Sequence, residues 1–170
     1  MLSGAHEQWT NAITIRGRPD QIWPWLAQMG CNRGGWYSYD GLDNGGRTSA
    51  QRIVAELQEV AVGDAFPWTP RDSSGFVVKA VDSGHALVLG GEPPPYSVTW
   101  ALVLDPIDDT TTRLITRCRG TPRSPFYAVL TRFVAHPIHY AMQRKQLLNI
   151  KRRVEAKGTA TKRFPFTSRH

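Results

Sequence analysis

Asp40 and Asp43 stand three residues apart, a spacing that puts both carboxylates on one face if the segment is helical. Two neighbouring carboxylates can separate their pKa values and serve as acid and base. The competing role is turn capping, which Asp performs readily by bonding nearby amides. The glycines at 41, 45 and 46 favour capping. Tyr37, Tyr39 and Asp40 can still bond a ligand carbonyl or hydroxyl. His136 and His139 form a second pair at i, i+3. Paired histidines often hold metal, but no acidic residue completes a known spacing and HExxH is absent, so no metal is expected. A histidine on an inner helix face can act as a general base, and His139 is preferred to His136. Arg113, Arg117 and Arg119 share one face of a strand-like segment opposite Leu114, Thr116 and Cys118. If the apolar side is inward, the arginines meet water. In the opposite register Arg117 is buried, must be paired, and can hold a carboxylate bidentately. The catalytic candidates are therefore Asp40, Tyr39, Arg117 and His139.

Aromatic residues are dense in Trp23, Trp25, Trp36, Tyr37, Tyr39 and Trp100. They either fill a core or wall a ligand site, since such sites are mostly apolar with a few orienting polar groups. Cys31 follows a helix end, where nothing lowers its pKa. Walker and GxGxxG loops and a Ser-His-Asp phrase are absent, so no cofactor is expected.

The elements that position these residues are legible from periodicity. Residues 9–15 alternate as a strand, with Asn11, Ile13 and Ile15 on one face. Pro19 and Asp20 open a helix that Gly30 stops. Pro24 sits awkwardly inside it, which favours a start later than Pro19. Residues 33–47 read as a glycine- and aromatic-rich loop with one helical turn near 39–43, and Ser49 as the cap of a short helix over 50–57. Strands follow at 64–68, 75–81, 86–89, 98–104 and 112–119, separated by turn signals. Residues 126–154 carry apolar positions at helical spacing, among them Phe133 and Met142, with Pro137 marking a kink or restart. Strands segregated from helices mean α+β architecture with an antiparallel sheet.

These phrases together resemble the START/Bet v 1-like (SRPBCC) superfamily, in particular its bacterial polyketide cyclase/dehydrase-like subgroup. The resemblance spans residues 9–157. It rests on PDQIWPWLAQMG at 19–30, GGWYSYDGLDN at 34–44, VGD at 62–64, TWALVLDP at 99–106, TRLITRCR at 112–119 and MQRKQLLNIKRRVE at 142–155. It implies a helix-grip fold: a curved antiparallel sheet wrapped around a long C-terminal helix, with a hydrophobic cavity between them. The expected ligand is a lipid or a polyketide-like metabolite. The expected lining is Trp25, Met29, Trp36, Tyr37, Tyr39, Trp100, Phe133 and Met142. The alternative is a cyclase, aromatase or dehydratase acting in the same cavity.

Composition bounds the rest. The 170 residues suit one domain, over 9–157, after a flexible stretch at 1–8 and before a basic tail at 158–170. The net charge of +7 gathers late in the chain and suits solubility. Without aromatic-basic interleaving, specific nucleic-acid binding is not expected. Two cysteines make no disulfide framework. No apolar run reaches the ~20 residues that span a bilayer. With no secretory signal, a cytoplasmic monomer or homodimer is expected.

Overall fold

The computed structural model describes residues 7–70, 75–91, 96–122, 126, 133, 134 and 136–161. Six strands form one antiparallel sheet: β1 (Glu7–Arg16), β2 (Ala65–Pro67), β3 (Gly75–Asp82), β4 (Ala86–Gly91), β5 (Tyr96–Asp108) and β6 (Thr111–Pro122). The spatial order is β1-β6-β5-β4-β3-β2. Thus the first strand closes on the last, and the meander runs back from it. Irregularities between Val78 and Ala80 and between Pro106 and Asp108 add local twist and bend.

Period-two patterning gives the sheet two unlike faces. Trp100, Leu102 and Leu104 of β5 and Thr112, Leu114, Thr116 and Cys118 of β6 are buried on the inner face. Arg113 and Arg117 are exposed on the other. The structure therefore decides the β6 register in favour of outward arginines. Arg117 Nε donates to Thr10 Oγ1 at 3.1 Å and Arg119 Nε to Gln8 Oε1 at 2.9 Å, both across the outer face.

Helix α1 (Pro19–Ala27) begins at Pro19 itself, earlier than Pro24 suggested. Pro19 suits the first helical position, Asp20 meets the positive dipole end, and Ile22, Trp25 and Leu26 form the buried stripe. Its end is held by Arg33, whose guanidinium donates to the carbonyls of Ala27 (2.9 Å) and Met29 (3.0 Å). These are the carbonyls a helix end leaves unpaired. Helix α2 (Asp40–Asp43) is the single turn expected there.

The long helix α3 (His136–Thr161) starts with Pro137 in its first turn, where proline costs little. Residues 127–132 and 162–170, parts of the segment expected to be helical and of the expected tail, lie outside the described residues. The backbone of α3 continues through residues 158–161. Gln143, Gln146, Leu147, Ile150 and Val154 form its buried stripe. The helix packs on β1 and α1. Lys151 Nζ donates to the Thr14 carbonyl at 2.8 Å, and Glu155 accepts the Arg16 amide at 2.9 Å. Gly17 permits this approach, because a Cβ there would stand 2.6 Å from Val154 Cγ1.

One expected element is different. Residues 50–57 form only a 3-10 turn at Ala55–Leu57. The Gln28 side chain captures the segment: Nε2 donates to the Arg52 carbonyl at 3.2 Å and Oε1 accepts the Val54 amide at 2.9 Å. Bonds from a fully buried glutamine replace those a helix would have made.

Candidate functional site

The loop between α1 and β2 is tied together by Asp40. Its carboxylate accepts the Ser49 amide and hydroxyl, and its carbonyl accepts the amides of Asn44 and Gly46. Ser49, expected to cap a helix, is thereby turned inward, and its hydroxyl accepts the Tyr37 amide at 3.1 Å. Asp40 is thus committed to capping. Asp43 differs. Both its oxygens are shielded and neither completes a hydrogen bond of good geometry. Burial, then repulsion from Asp40, raises its carboxyl to about 6, while the nearby Ser38 hydroxyl and the Asp43 and Tyr39 amides pull the other way.

Outside this loop lies a surface cleft of about 770 Å³ lined by Ser38, Asp40, Gln51, Lys145, Asn149 and Arg153. A neighbouring recess of about 300 Å³ holds Tyr39 and Arg144. Lys145 Nζ sits 3.7 Å from the Tyr39 ring centroid, a cation–π contact. This cleft is polar and basic, a poor match for an apolar ligand.

The inner sheet face offers a different chemistry. Pairing places Trp9 opposite Cys118, Cys118 opposite Trp100, Trp100 opposite Leu89, and Leu89 opposite Val78. These five residues form one cross-strand row. Around Trp100 the rings are continuous. Trp36 stacks on it at 5.9 Å, Phe76 touches it at 5.7 Å, and Trp68 meets Phe76 edge-on at 5.5 Å. Trp36 is pinned by Nε1 donating to the Pro67 carbonyl at 3.2 Å.

At the other end of the row, α3 lowers His139 onto the sheet. Its Nε2 lies 3.6 Å from Cys118 Sγ, and Trp9 presents an edge-on contact to both His136 (4.4 Å) and His139 (5.3 Å). Burial pushes the Cys118 thiol up to about 12. Burial, then the neighbouring His136, holds His139 down at about 4. At neutral pH both are uncharged, so the pair is no thiolate–imidazolium nucleophile.

The expected site residues therefore separate. Trp36 and Trp100 meet in the aromatic wall and keep 6% of their surface accessible. Met142 is half-buried on α3 near His139 in sequence. Met29 has no accessible surface and Trp25 and Tyr37 only 1%, so they are closely packed core rather than lining. Tyr37 is held by Gln28 Nε2 donating to its hydroxyl at 3.0 Å, and burial raises its pKa. Tyr39 is 40% exposed beside the basic cleft, and Phe133 is 71% exposed. Of the four acid–base candidates, Asp40 caps, Tyr39 faces the cleft, Arg117 lies on the outer face, and His139 reaches the inner face. Sequence reasoning missed Trp9, Trp68, Phe76 and Gln143 as site residues. Trp9 shares the parity of Asn11 and Ile13, a signal that was present; Gln143 carried none, being a polar residue between Met142 and Arg144.

No protein-family model and no curated protein matches the chain. Solved structures do. A hypothetical protein of Helicobacter pylori is similar at 11% identity and TM-score 0.56, covering 89% of this chain and 90% of its own. The KanY protein is similar at 11% identity and TM-score 0.52, covering 90% and 99%. The chain has the helix-grip fold. A Polyketide_cyc-like protein of Corynebacterium glutamicum is also similar, at 15% identity and TM-score 0.47, covering 93% and 97%. Among the described residues no helix is long and apolar enough to cross a membrane.

Proposed function

We propose that the chain binds a small, largely apolar molecule, a lipid or polyketide-like metabolite, between the aromatic half of the helix-grip sheet and the start of α3. One observation carries this reading: the connected rings of Trp36, Trp68, Phe76 and Trp100 on the inner face. Fully packed core rows, such as Leu87 opposite Leu102, have no accessible surface. The aromatic wall does, with Trp68 and Phe76 only partly buried. Flat, rigid rings give a ligand large contact area at low entropic cost.

Native mass spectrometry of protein purified from its own host tests this directly, with a co-purifying small molecule as the expected result. Titration of an apolar probe against tryptophan fluorescence gives a second measurement. Trp100→Ala is expected to weaken probe binding about tenfold. Finding no retained molecule and no fluorescence response would sink the reading.

His139 on the inner face favours a second reading, an enzyme of the cyclase or dehydratase type. A neutral imidazole in a sheltered site can accept a substrate proton. Under this reading His139→Gln abolishes turnover of a bound polyketide-like substrate and leaves its affinity within a few fold. Turnover surviving in that variant excludes His139 as the base.

A further inference from the structure

The corner where Trp9, Cys118, His139 and Gln143 converge holds polar atoms that the fold leaves unserved. Trp9 Nε1, Trp100 Nε1 and Gln143 Nε2 are shielded from solvent and make no hydrogen bond of good geometry. Gln143 keeps 3% of its surface and Trp100 6%, so neither amide nor indole can turn outward to water. All three are N–H donors; His136 Nε2, shielded at the same corner, faces the Glu7 carboxylate at 3.4 Å. Gln143 Oε1 is already engaged by Asn11 Nδ2, which fixes the amide with its nitrogen on the unserved side. Trp9 and Gln143 both lie close enough to Cys118 to bias its thiol towards the charged form. Sulfur is nevertheless a weak acceptor. Buried donors without partners cost free energy, and a native fold keeps them where something else supplies the acceptor.

Charge narrows what that acceptor is. Arg117 and Arg119 project from the opposite face of the sheet to Thr10 and Gln8. The charged group that touches this corner is Glu7, 3.4 Å from His136. An anion entering here meets a carboxylate and, among the described residues on the inner face, no arginine or lysine. A neutral oxygen can accept from the three N–H donors without bringing a second negative charge towards Glu7.

We propose that Trp9 Nε1 and Gln143 Nε2, with Trp100 Nε1 one strand further along, form a hydrogen-bonding subsite that selects apolar ligands bearing an uncharged carbonyl over hydrocarbons and carboxylates. The inference rests on the apolar-ligand reading above and adds the polar group by which the ligand is recognised. No bond is made or broken in this step. The carbonyl oxygen accepts from Trp9 and Gln143, and the ring system of the ligand lies along the aromatic wall.

Three probes of nearly one shape test it: 2-acetylnaphthalene, 2-isopropenylnaphthalene and 2-naphthoate, each titrated calorimetrically into the full chain at pH 7. The ketone is expected to bind about tenfold more tightly than the hydrocarbon, which corresponds to about 1.4 kcal/mol. The carboxylate is expected to bind more weakly than the ketone. Trp9→Phe and Gln143→Leu, which keep an apolar side chain in place, are expected to erase the ketone's advantage, read as the ratio of ketone to hydrocarbon affinity within each variant. Should either variant fail to fold, the infrared carbonyl stretch of the bound ketone in the native chain serves instead, with a shift to lower frequency than in hexane expected. Equal binding of ketone and hydrocarbon, an unshifted stretch, or preference for the carboxylate overturns this inference and leaves the apolar-ligand reading standing. Binding of none of the three overturns both.

Discussion

Two buried ionisable groups pull the pH dependence of stability in opposite directions. Asp43, raised to about 6 by burial and Asp40, holds its proton in the folded state above the ordinary carboxyl range. The folded state then binds more protons than the unfolded state between about pH 4 and 6, so the contribution of Asp43 to stability falls as pH rises through that window. Asp43→Asn is expected to stabilise the protein at pH 7, by about 1 kcal/mol once screening by nearby water is allowed for, and to have little effect near pH 4. Chemical denaturation at the two pH values measures this. His139, held at about 4, behaves inversely. The unfolded imidazole takes up its proton near 6.5 and the folded one does not, so acidification from about 6.5 to 4 costs stability. His139→Gln should flatten that part of the profile, and an NMR titration of the imidazole should find it neutral at pH 5. Asp40→Ala should cost about 2 kcal/mol, since its carboxylate accepts both the amide and the hydroxyl of Ser49. At this scale the sequence was partly readable. The glycines beside Asp40 announced a capping carboxylate. The shielding of Asp43 was not readable, because it depends on how residues 38–43 fold around its carboxyl.

Elements were easier to read than side-chain roles. Alternation located four of the six strands, a short apolar run and turn signals the other two, and β6 shows why alternation works: Leu114, Thr116 and Cys118 are all buried while Arg113 and Arg117 are exposed. The predicted helix over 50–57 failed because local pattern competed with a distant side chain. Gln28 reaches 26 positions along the chain to the Val54 amide, a contact no window of neighbouring residues contains. The loop that makes this possible depends on a tight crossing at Gly35. Its φ is +81°, and a Cβ there would stand 2.9 Å from the Ser49 Cα, a backbone atom that cannot yield cheaply. Gly35→Ala is therefore expected to destabilise by about 3 kcal/mol or more, combining left-handed backbone strain with the clash. A thermal melt of that variant should show a fall of many degrees, and Gly41→Ala, which meets nothing within 4 Å, is the control.

At the scale of the whole molecule, α3 and the sheet are bound firmly at one end and loosely at the other. Ile150 and Val154 seal the helix against the core, whereas Ile138 and Tyr140 near its start remain more than half exposed. A ligand seated on the aromatic wall bridges that looser end and stabilises the native state by mass action. At a hundredfold excess over Kd the gain is about 2.7 kcal/mol, so the melting temperature should rise by roughly 5 °C or more. Differential scanning calorimetry with 2-acetylnaphthalene measures it, and an unchanged transition at saturation counts against the site. The overall architecture was legible because it follows from element order. The aromatic wall was only half legible: Trp36 and Trp100 were expected there, but Trp68 and Phe76 enter it through the β2–β3 pairing, which brings Phe66 opposite Phe76.

Strand β2 has a consequence of its own. It is three residues long and stops at Pro67, whose carbonyl already serves the Cys31 amide at 3.0 Å as well as the Trp36 indole. Naked sheet rims recruit passing chains by offering a row of free backbone groups. This rim offers few, since proline has no amide to give and its oxygen is spoken for. The hydrophobic surface that greets a ligand is thus kept apart from the backbone template that would seed fibres, and crowding the protein should not string its copies together along that side.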